Sequence, residues 1–229
     1  MKKKLLAIFL IVCILAITIS TASLAYFTDT KTVDNVFSVG EVKITLDEAK
    51  VVLDAQNHAT VHDTDRVTSG QEPQKYGNLY PGFSIKKDPT ITNTGSESAY
   101  VGAKIVITTT SGITDTSAFV GLLTGGLLPR SDDAIVDERL VGNAYEISII
   151  YKKALAGATE SAKDSVLLFD TLSIPSNYEN AQMAQFKYMK ITVTAYAVQS
   201  VGMTDALSAL PAAFAVFDHI PTPTPTPSN

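Results

Sequence analysis

The sequence predicts an all-β fold, a jelly-roll-like β-sandwich with one or two short helical insertions. Two observations indicate this class: short segments in which apolar and polar residues alternate recur along the chain, and Gly, Pro and Asn residues separate them. About seven or eight strands at irregular spacing are typical of two packed sheets. The clearest strand segments are residues 42–46, 83–87, 99–110, 145–152, 166–174 and 187–199.

Two other segments are predicted to be helical, and a third has no regular period. Residues 115–128 contain the apolar run SAFVGLLTGGLL, in which the Gly pair at 125 and 126 would end a short helix. Residues 204–217 predict a second helix, with Thr204 as a candidate N-cap and Pro211 near its end. Residues 54–78 are polar, and their apolar residues follow neither the helical nor the strand period, so they predict a long loop or a short ribbon.

The first 25 residues have the three parts of a secretory signal peptide. Three lysines open the chain, residues 5–17 are apolar throughout, and the small-residue end SLA closes at Ala25. Cleavage is expected between Ala25 and Tyr26. The alternative is an uncleaved anchor, but a membrane span needs about 20 apolar residues, more than the apolar run supplies. The sequence therefore predicts a chain that is secreted to the cell surface or extracellular matrix and meets the membrane only before cleavage.

Four parts follow from this reading of the chain. They are a signal peptide (1–25), an N-terminal donor-strand segment (26–40), a β-sandwich domain (41–218) and a Pro/Thr-rich tail (219–229). The tail ends in PTPTPTPSN, a repeat that favours an extended, solvated chain.

The net charge and the cysteine content argue against several kinds of binding partner and catalytic chemistry. Loss of Lys2, Lys3 and Lys4 leaves 15 of the 18 Lys and Arg residues against 23 Asp and Glu, so the formal net charge becomes 15 − 23 = −8. An acidic chain without a basic cluster argues against nucleic acid as a partner. Cys13 is the only cysteine, and it lies in the predicted signal peptide, which argues against thiol catalysis and cysteine-bound metal.

A pair of histidines is the strongest metal signal, and it is weak. His58 and His62 are four residues apart, and Asp65 follows. In zinc peptidases with this spacing a glutamate directly follows the first histidine, whereas here the residue is Ala59. The sequence also has no nucleophile elbow and no phosphate-binding loop. We therefore expect a solvated polar segment, no catalytic residues, no cofactor and no metal, with His58, His62 and Asp65 as the weak metal candidates.

Three stretches together resemble the TasA/camelysin family, exported Gram-positive proteins that a SipW-type signal peptidase processes. They read LAYFTDTKTVDNVFSVGEVKITLDE, LYPGFSIKKDPTITNTGSESAYVGAKI and ITVTAYAVQSVGMTDALSAL. The N-terminal match is the most specific, and residues 112–187 are not diagnostic. The matching positions are Tyr26, Phe27, Thr28, Asp29, Asn35, Phe37 and Gly40, then Pro81, Gly82, Asn93, Gly95, Ala99, Tyr100 and Val101.

The resemblance implies a jelly-roll fold and a structural subunit of extracellular biofilm-matrix fibres. In such fibres the N-terminal segment of one subunit is donated as a strand to the next. The implied partners are further copies of the chain, other matrix proteins and, for processing, the SipW-type peptidase. The candidate anchors of the assembly strand are Tyr26, Phe27, Val33, Val36, Phe37 and Val39.

Three alternatives stay open at this point. The segment before Gly40 can instead dock into its own domain as an ordinary first strand. Camelysin is described as a surface metallopeptidase, so the resemblance also implies that activity, although the histidine pattern departs from zinc peptidases. A carbohydrate- or partner-binding sandwich is the third, and an exposed aromatic platform would favour it, although the chain has no tryptophan.

Overall fold

A computed structural model gives the structure of residues 40–54, 59–68, 70–72, 74–76 and 79–220. The chain divides into two units, Met1–Val39 and Gly40–Asn229, and the elements below belong to the second. The predicted cleavage site at Ala25 and Tyr26 and all six assembly-strand anchors lie outside the described residues, as does the Pro/Thr repeat. No helix among the described residues is long and apolar enough to cross a membrane.

The described residues form eleven strands and two short α-helices. The strands are β1 (Ile44–Leu53), β2 (Ala59–Thr68), β3 (Ser84–Lys86), β4 (Thr90–Asn93), β5 (Ala99–Thr108), β6 (Leu123–Thr124), β7 (Ala134–Val141), β8 (Ala144–Tyr151), β9 (Ser165–Leu167), β10 (Thr171–Ser173) and β11 (Lys190–Gln199). The helices are α1 (Asn180–Gln185) and α2 (Ala206–Ala213), and a 3-10 turn follows at Ala215–Phe217.

Three antiparallel sheets carry these strands. The first sheet has the order β2-β1-β4-β9, the second β3-β10-β6 and the third β11-β5-β8-β7. The polar stretch around residues 59–68 is the outer strand of a β1–β2 ribbon. The predicted all-β sandwich with short helical insertions is therefore confirmed.

The core forms because strands at the centre of the sheets turn alternate apolar side chains inward. Ile105 and Ile107 on β5 and Ile147 and Ile149 on β8 are at most 3 % exposed, and they share one cluster with Ile91 of the first sheet. Full burial of such a side chain contributes about 1.5–3 kcal/mol. This alternation explains why periodicity alone locates the central strands.

A second apolar cluster covers part of the opposite face of the third sheet. There α2 and the 3-10 turn place Leu210 and Phe217 over β5 and β8, and Ile220 completes the cluster. Gly102 permits this close approach, because a Cβ at that position would lie 2.8 Å from the Phe217 ring. His219 and Ile220, which the sequence analysis assigned to the tail, thus belong to the packed domain.

Two details of the predicted helices are wrong. Residues 115–128 form turns and the two-residue strand β6 instead of a helix, because Gly121, Gly125 and Gly126 all have positive φ. The N-cap of α2 is Asp205, whose carboxylate accepts a hydrogen bond from the Ser208 amide at 2.8 Å, and not Thr204.

A buried tyrosine makes the stability of the fold sensitive to high pH. Tyr145 on β8 is 1 % exposed and donates a hydrogen bond to the carboxylate of Glu138 on β7. Burial, followed by the interaction with Glu138, raises the pKa of the Tyr145 phenol above its ordinary value of 10.0. The folded state therefore favours the neutral phenol, so this contribution to stability is complete below pH 10 and falls as the pH rises further.

We expect Tyr145→Phe to reduce the loss of stability above pH 10. A single tyrosine with a raised pKa changes the free energy of unfolding by at most about 1.4 kcal/mol per pH unit, and phenylalanine cannot ionise. Urea unfolding followed by circular dichroism between pH 8 and 11.5 measures the difference between the two proteins. Parallel curves for the wild type and the variant would contradict the assignment.

Candidate strand-acceptor edge

The six strands at the edges of the three sheets differ in how they are protected against pairing with another chain. β3, β6 and β9 have only two or three residues. β7 carries Asp137, Glu138 and Arg139, and β2 carries Asp63, Asp65 and Arg66. Short edges and charged edges both oppose the addition of a further strand. β11, with the sequence KITVTAYAVQ, is the exception, because it has ten residues and a single charge.

β11 is also regular along its whole length. It pairs with β5 at ten successive positions, from Lys190 opposite Thr108 to Gln199 opposite Ala99, and the register has no bulge. Among the described residues no strand pairs with its other side. An edge of this kind presents a row of backbone donors and acceptors that can template another strand.

The side chains that β11 turns inward are incompletely covered. On the neighbouring strand β5, the inward residues Ala103, Ile105 and Ile107 are 0 % exposed. The corresponding residues of β11 contact the same core but keep part of their surface exposed. Together with Met189, directly before the strand, we call them the half-buried row, and the members on β11 are Ile191, Val193, Ala195 and Ala197. A further strand beside β11 would complete their burial.

The chain that precedes β1 reaches the fold at the end of β11. The amide of Glu41 donates to Ser96 Oγ at 3.0 Å, and the Glu97 amide donates to the Glu41 carbonyl at 3.2 Å. Next to Glu97, the hydroxyls of Ser98 and Ser200 are 2.7 Å apart, directly after β11 ends. Glu41, close to the first described residue, therefore lies at the end of the sandwich where β11 finishes.

Asn93 and Gly95, two positions of the family resemblance, hold this junction together. The Asn93 side chain is fully buried, and its Nδ2 lies 2.8, 3.2 and 3.0 Å from the carbonyl oxygens of Glu97, Leu155 and Ala156. Its Oδ1 accepts from the Gly95 amide at 3.0 Å. A Cβ on Gly95 would lie 2.2 Å from the Glu41 carbonyl oxygen, so only glycine fits there.

Of the three weak metal candidates, the structure describes His62 and Asp65. His58 lies outside the described residues, and His62 is exposed on β2 opposite Lys50. The carboxylate of Asp65 forms an ion pair with Lys50 at 3.0 Å. Among the described residues, no three His, Cys, Asp or Glu side chains lie close enough to hold a metal ion.

Among the ion pairs of the described residues, the most buried charge lies on the outer face of the third sheet and not at the β11 edge. Glu146, whose side chain is 8 % exposed, is 2.7 Å from Lys104 Nζ and 3.4 Å from an Arg139 nitrogen. The two cations flank the single carboxylate across β5, β8 and β7. Close by, His219 Nε2 lies 3.3 Å from Asp137 Oδ2 on β7 but makes no hydrogen bond.

Comparison with known proteins gives no independent identification. No model of a protein family matches the chain, and no curated protein matches it.

Proposed function

We propose that the chain is an exported structural subunit of an extracellular fibre, in which residues 26–39 of one copy add as a strand to β11 of the next. The observation that carries this proposal is the open β11 edge with its half-buried row. The resemblance to the TasA/camelysin family supports the same assignment and suggests a biofilm matrix as the setting. In this account no metal or catalytic group takes part.

The favourable and unfavourable free energies of strand addition are of similar size, so we expect strand addition to depend on conditions. Burial of about five apolar side chains of the segment would contribute about 7–15 kcal/mol, while ordering about 12–15 residues opposes it by a similar amount. The acceptor tips this balance towards addition, because it needs no ordering of its own: β11 is already paired with β5, and the half-buried row is already in place. We therefore expect fibres to form above a threshold concentration.

Ala195→Lys tests this proposal at the acceptor. Ala195 belongs to the half-buried row at the centre of β11, and a lysine there would place an ammonium group where the incoming side chains pack. Inward-pointing charges on edge strands prevent strand addition. Because the site is partly exposed, the long side chain can reach water and the domain is expected to stay folded. The expected result is a folded monomer with at least ten-fold fewer fibres.

Thr194→Lys is the matched control for that variant. It adds the same charge at the adjacent residue, but Thr194 is exposed and points to the outer face of the sheet. Sedimentation and negative-stain electron microscopy of residues 26–229 give the fibre yield, and circular dichroism verifies folding. Normal fibres from folded Ala195→Lys would show that β11 is not the acceptor.

A further inference from the structure

Lys87, which directly follows β3, is the least exposed lysine in the ion pairs of the described residues. Its side chain is 11 % exposed, and its Nζ lies 2.5 Å from Glu48 Oε1 on β1 and 3.0 Å from the Tyr76 hydroxyl. The ammonium also lies over the Tyr76 ring, 5.0 Å from its centroid. A lysine amine held away from water beside a proton acceptor can lose its proton and act as a nucleophile.

The carboxylate that holds Lys87 also holds a side-chain carboxamide. Gln74 Nε2 donates to the same oxygen, Glu48 Oε1, at 2.8 Å and to the Ala49 carbonyl at 3.2 Å. Gln74 Oε1 accepts from the Val51 amide at 2.7 Å. The amine of Lys87 and the carboxamide of Gln74 therefore meet at one oxygen atom, and a backbone N–H polarises the carbonyl that the amine can attack.

The other lysine ion pairs of the described residues lack this combination. Lys104 and Glu146, whose charged atoms are 2.7 Å apart, form the nearest comparison, because the Glu146 side chain is only 8 % exposed. The third group at Glu146 is the guanidinium of Arg139, which is a cation and offers no carbonyl to a nucleophile. The lysines of the remaining pairs are at least 47 % exposed.

We propose that Lys87 and Gln74 join in an intramolecular isopeptide bond, with Glu48 as the base and acid of the reaction. Lys87 Nζ bonds to Gln74 Cδ, and the carbonyl electron pair moves to Oε1, where the Val51 amide stabilises the oxyanion. The electron pair then returns and the Cδ–Nε2 bond breaks. Glu48 passes two protons from Nζ to the departing nitrogen, which leaves as ammonium. One C–N bond forms, one breaks, and nothing is oxidised or reduced.

The bond would fasten the segment between β2 and β3 to the sandwich. It closes residues 74–87 into a ring, which restrains the unfolded chain as a disulfide does. Residues 26–229 contain no cysteine, so no disulfide supplies such a restraint. The inference is independent of strand addition at β11, because none of the reacting residues lies on that strand or on its partner β5.

Mass spectrometry of denatured residues 26–229 tests the bond. We expect an intact mass about 17 Da below that of the sequence, through loss of one ammonia. Trypsin should release residues 67–75 joined to residues 87–104, because it does not cleave after a modified lysine. Full mass for the folded protein would overturn the proposal. A loss of about 18 Da, with Lys87 joined to Glu48 instead, would overturn the assignment of Gln74.

Three variants separate the roles of the reacting groups. Glu48→Gln cannot take up the proton, and Lys87→Arg removes the amine, so we expect each to reduce the cross-linked fraction at least ten-fold. Lys104→Arg is the matched control, because it alters the other buried Lys–Glu pair and should keep the full mass loss. Circular dichroism verifies folding. A bond that persists in Glu48→Gln would overturn the role of Glu48, and a mass loss that persists in Lys87→Arg would overturn the bond itself.

Discussion

Replacing Asn93 with alanine is expected to lower the free energy of unfolding by about 3–5 kcal/mol. The substitution removes four hydrogen bonds at a position that is 0 % exposed. The Gly95 amide would keep the Lys43 carbonyl at 3.0 Å and the Leu155 carbonyl would keep the Ala99 amide at 3.0 Å, so the expected loss comes from the hydrogen bonds of Asn93 themselves, each of which contributes about 0.5–1.5 kcal/mol. Because these bonds tie β4 to the loop after β8, no single neighbour can replace them.

Urea unfolding followed by circular dichroism measures this effect. Thr92→Ala is the control on the same strand, since Thr92 is only half-buried and its substitution should change the free energy of unfolding by less than about 1 kcal/mol. A loss below about 1 kcal/mol for Asn93→Ala would show that water or rearranged backbone satisfies the junction. The role assigned to Asn93 would then be wrong.

The strands that sequence predicted best are those whose two faces differ in burial. Residues 187–199 were predicted as a strand, and Ile191, Val193 and Ala195, which alternate along β11, contact the core. A period of two residues reports this difference directly, because successive side chains point to opposite faces. The central strands β5 and β8 were found for the same reason.

The predicted secondary structure was wrong where a run of apolar residues passes from one sheet to another or is interrupted by glycine. Residues 166–174 were predicted as one strand, but β9 belongs to the first sheet and β10 to the second, with Leu168 and Phe169 buried between them. An apolar run shows burial and not the direction of the backbone. Helix α1 was missed although Glu179 and Gln182 have the spacing of a capping box, and the Glu179 amide does donate to Gln182 Oε1 at 3.1 Å.

The candidate site could be predicted only in part. The composition of β11 was visible in the sequence, but its position at an edge depends on the order of strands in the sheet, which composition does not report. The family resemblance included Asn93 and Gly95 but gave no physical reason for these residue types. The structure gives one: Asn93 forms buried hydrogen bonds, and a Cβ at Gly95 would not fit. His62 and Asp65 were only weak metal candidates, and the sequence does not show that Asp65 pairs with Lys50.

Removal of residues 26–39 is expected to have the largest effect on assembly. A chain that begins at Gly40 keeps every strand described above and keeps the open β11 edge, so it can accept a strand. It has no segment to donate. We therefore expect it to stay a folded monomer and to terminate fibres when it is mixed with longer chains, because an added copy cannot extend the fibre further.

Electron microscopy and sedimentation of residues 26–229 beside residues 40–229 test strand donation most directly. The account predicts fibres from the longer chain above a threshold concentration, soluble monomer from the shorter one, and shorter fibres as the truncated chain is added to the mixture. Fibres of normal appearance from residues 40–229 would contradict donation by the N-terminal segment, and folded monomers from both chains at every concentration would contradict the fibre itself.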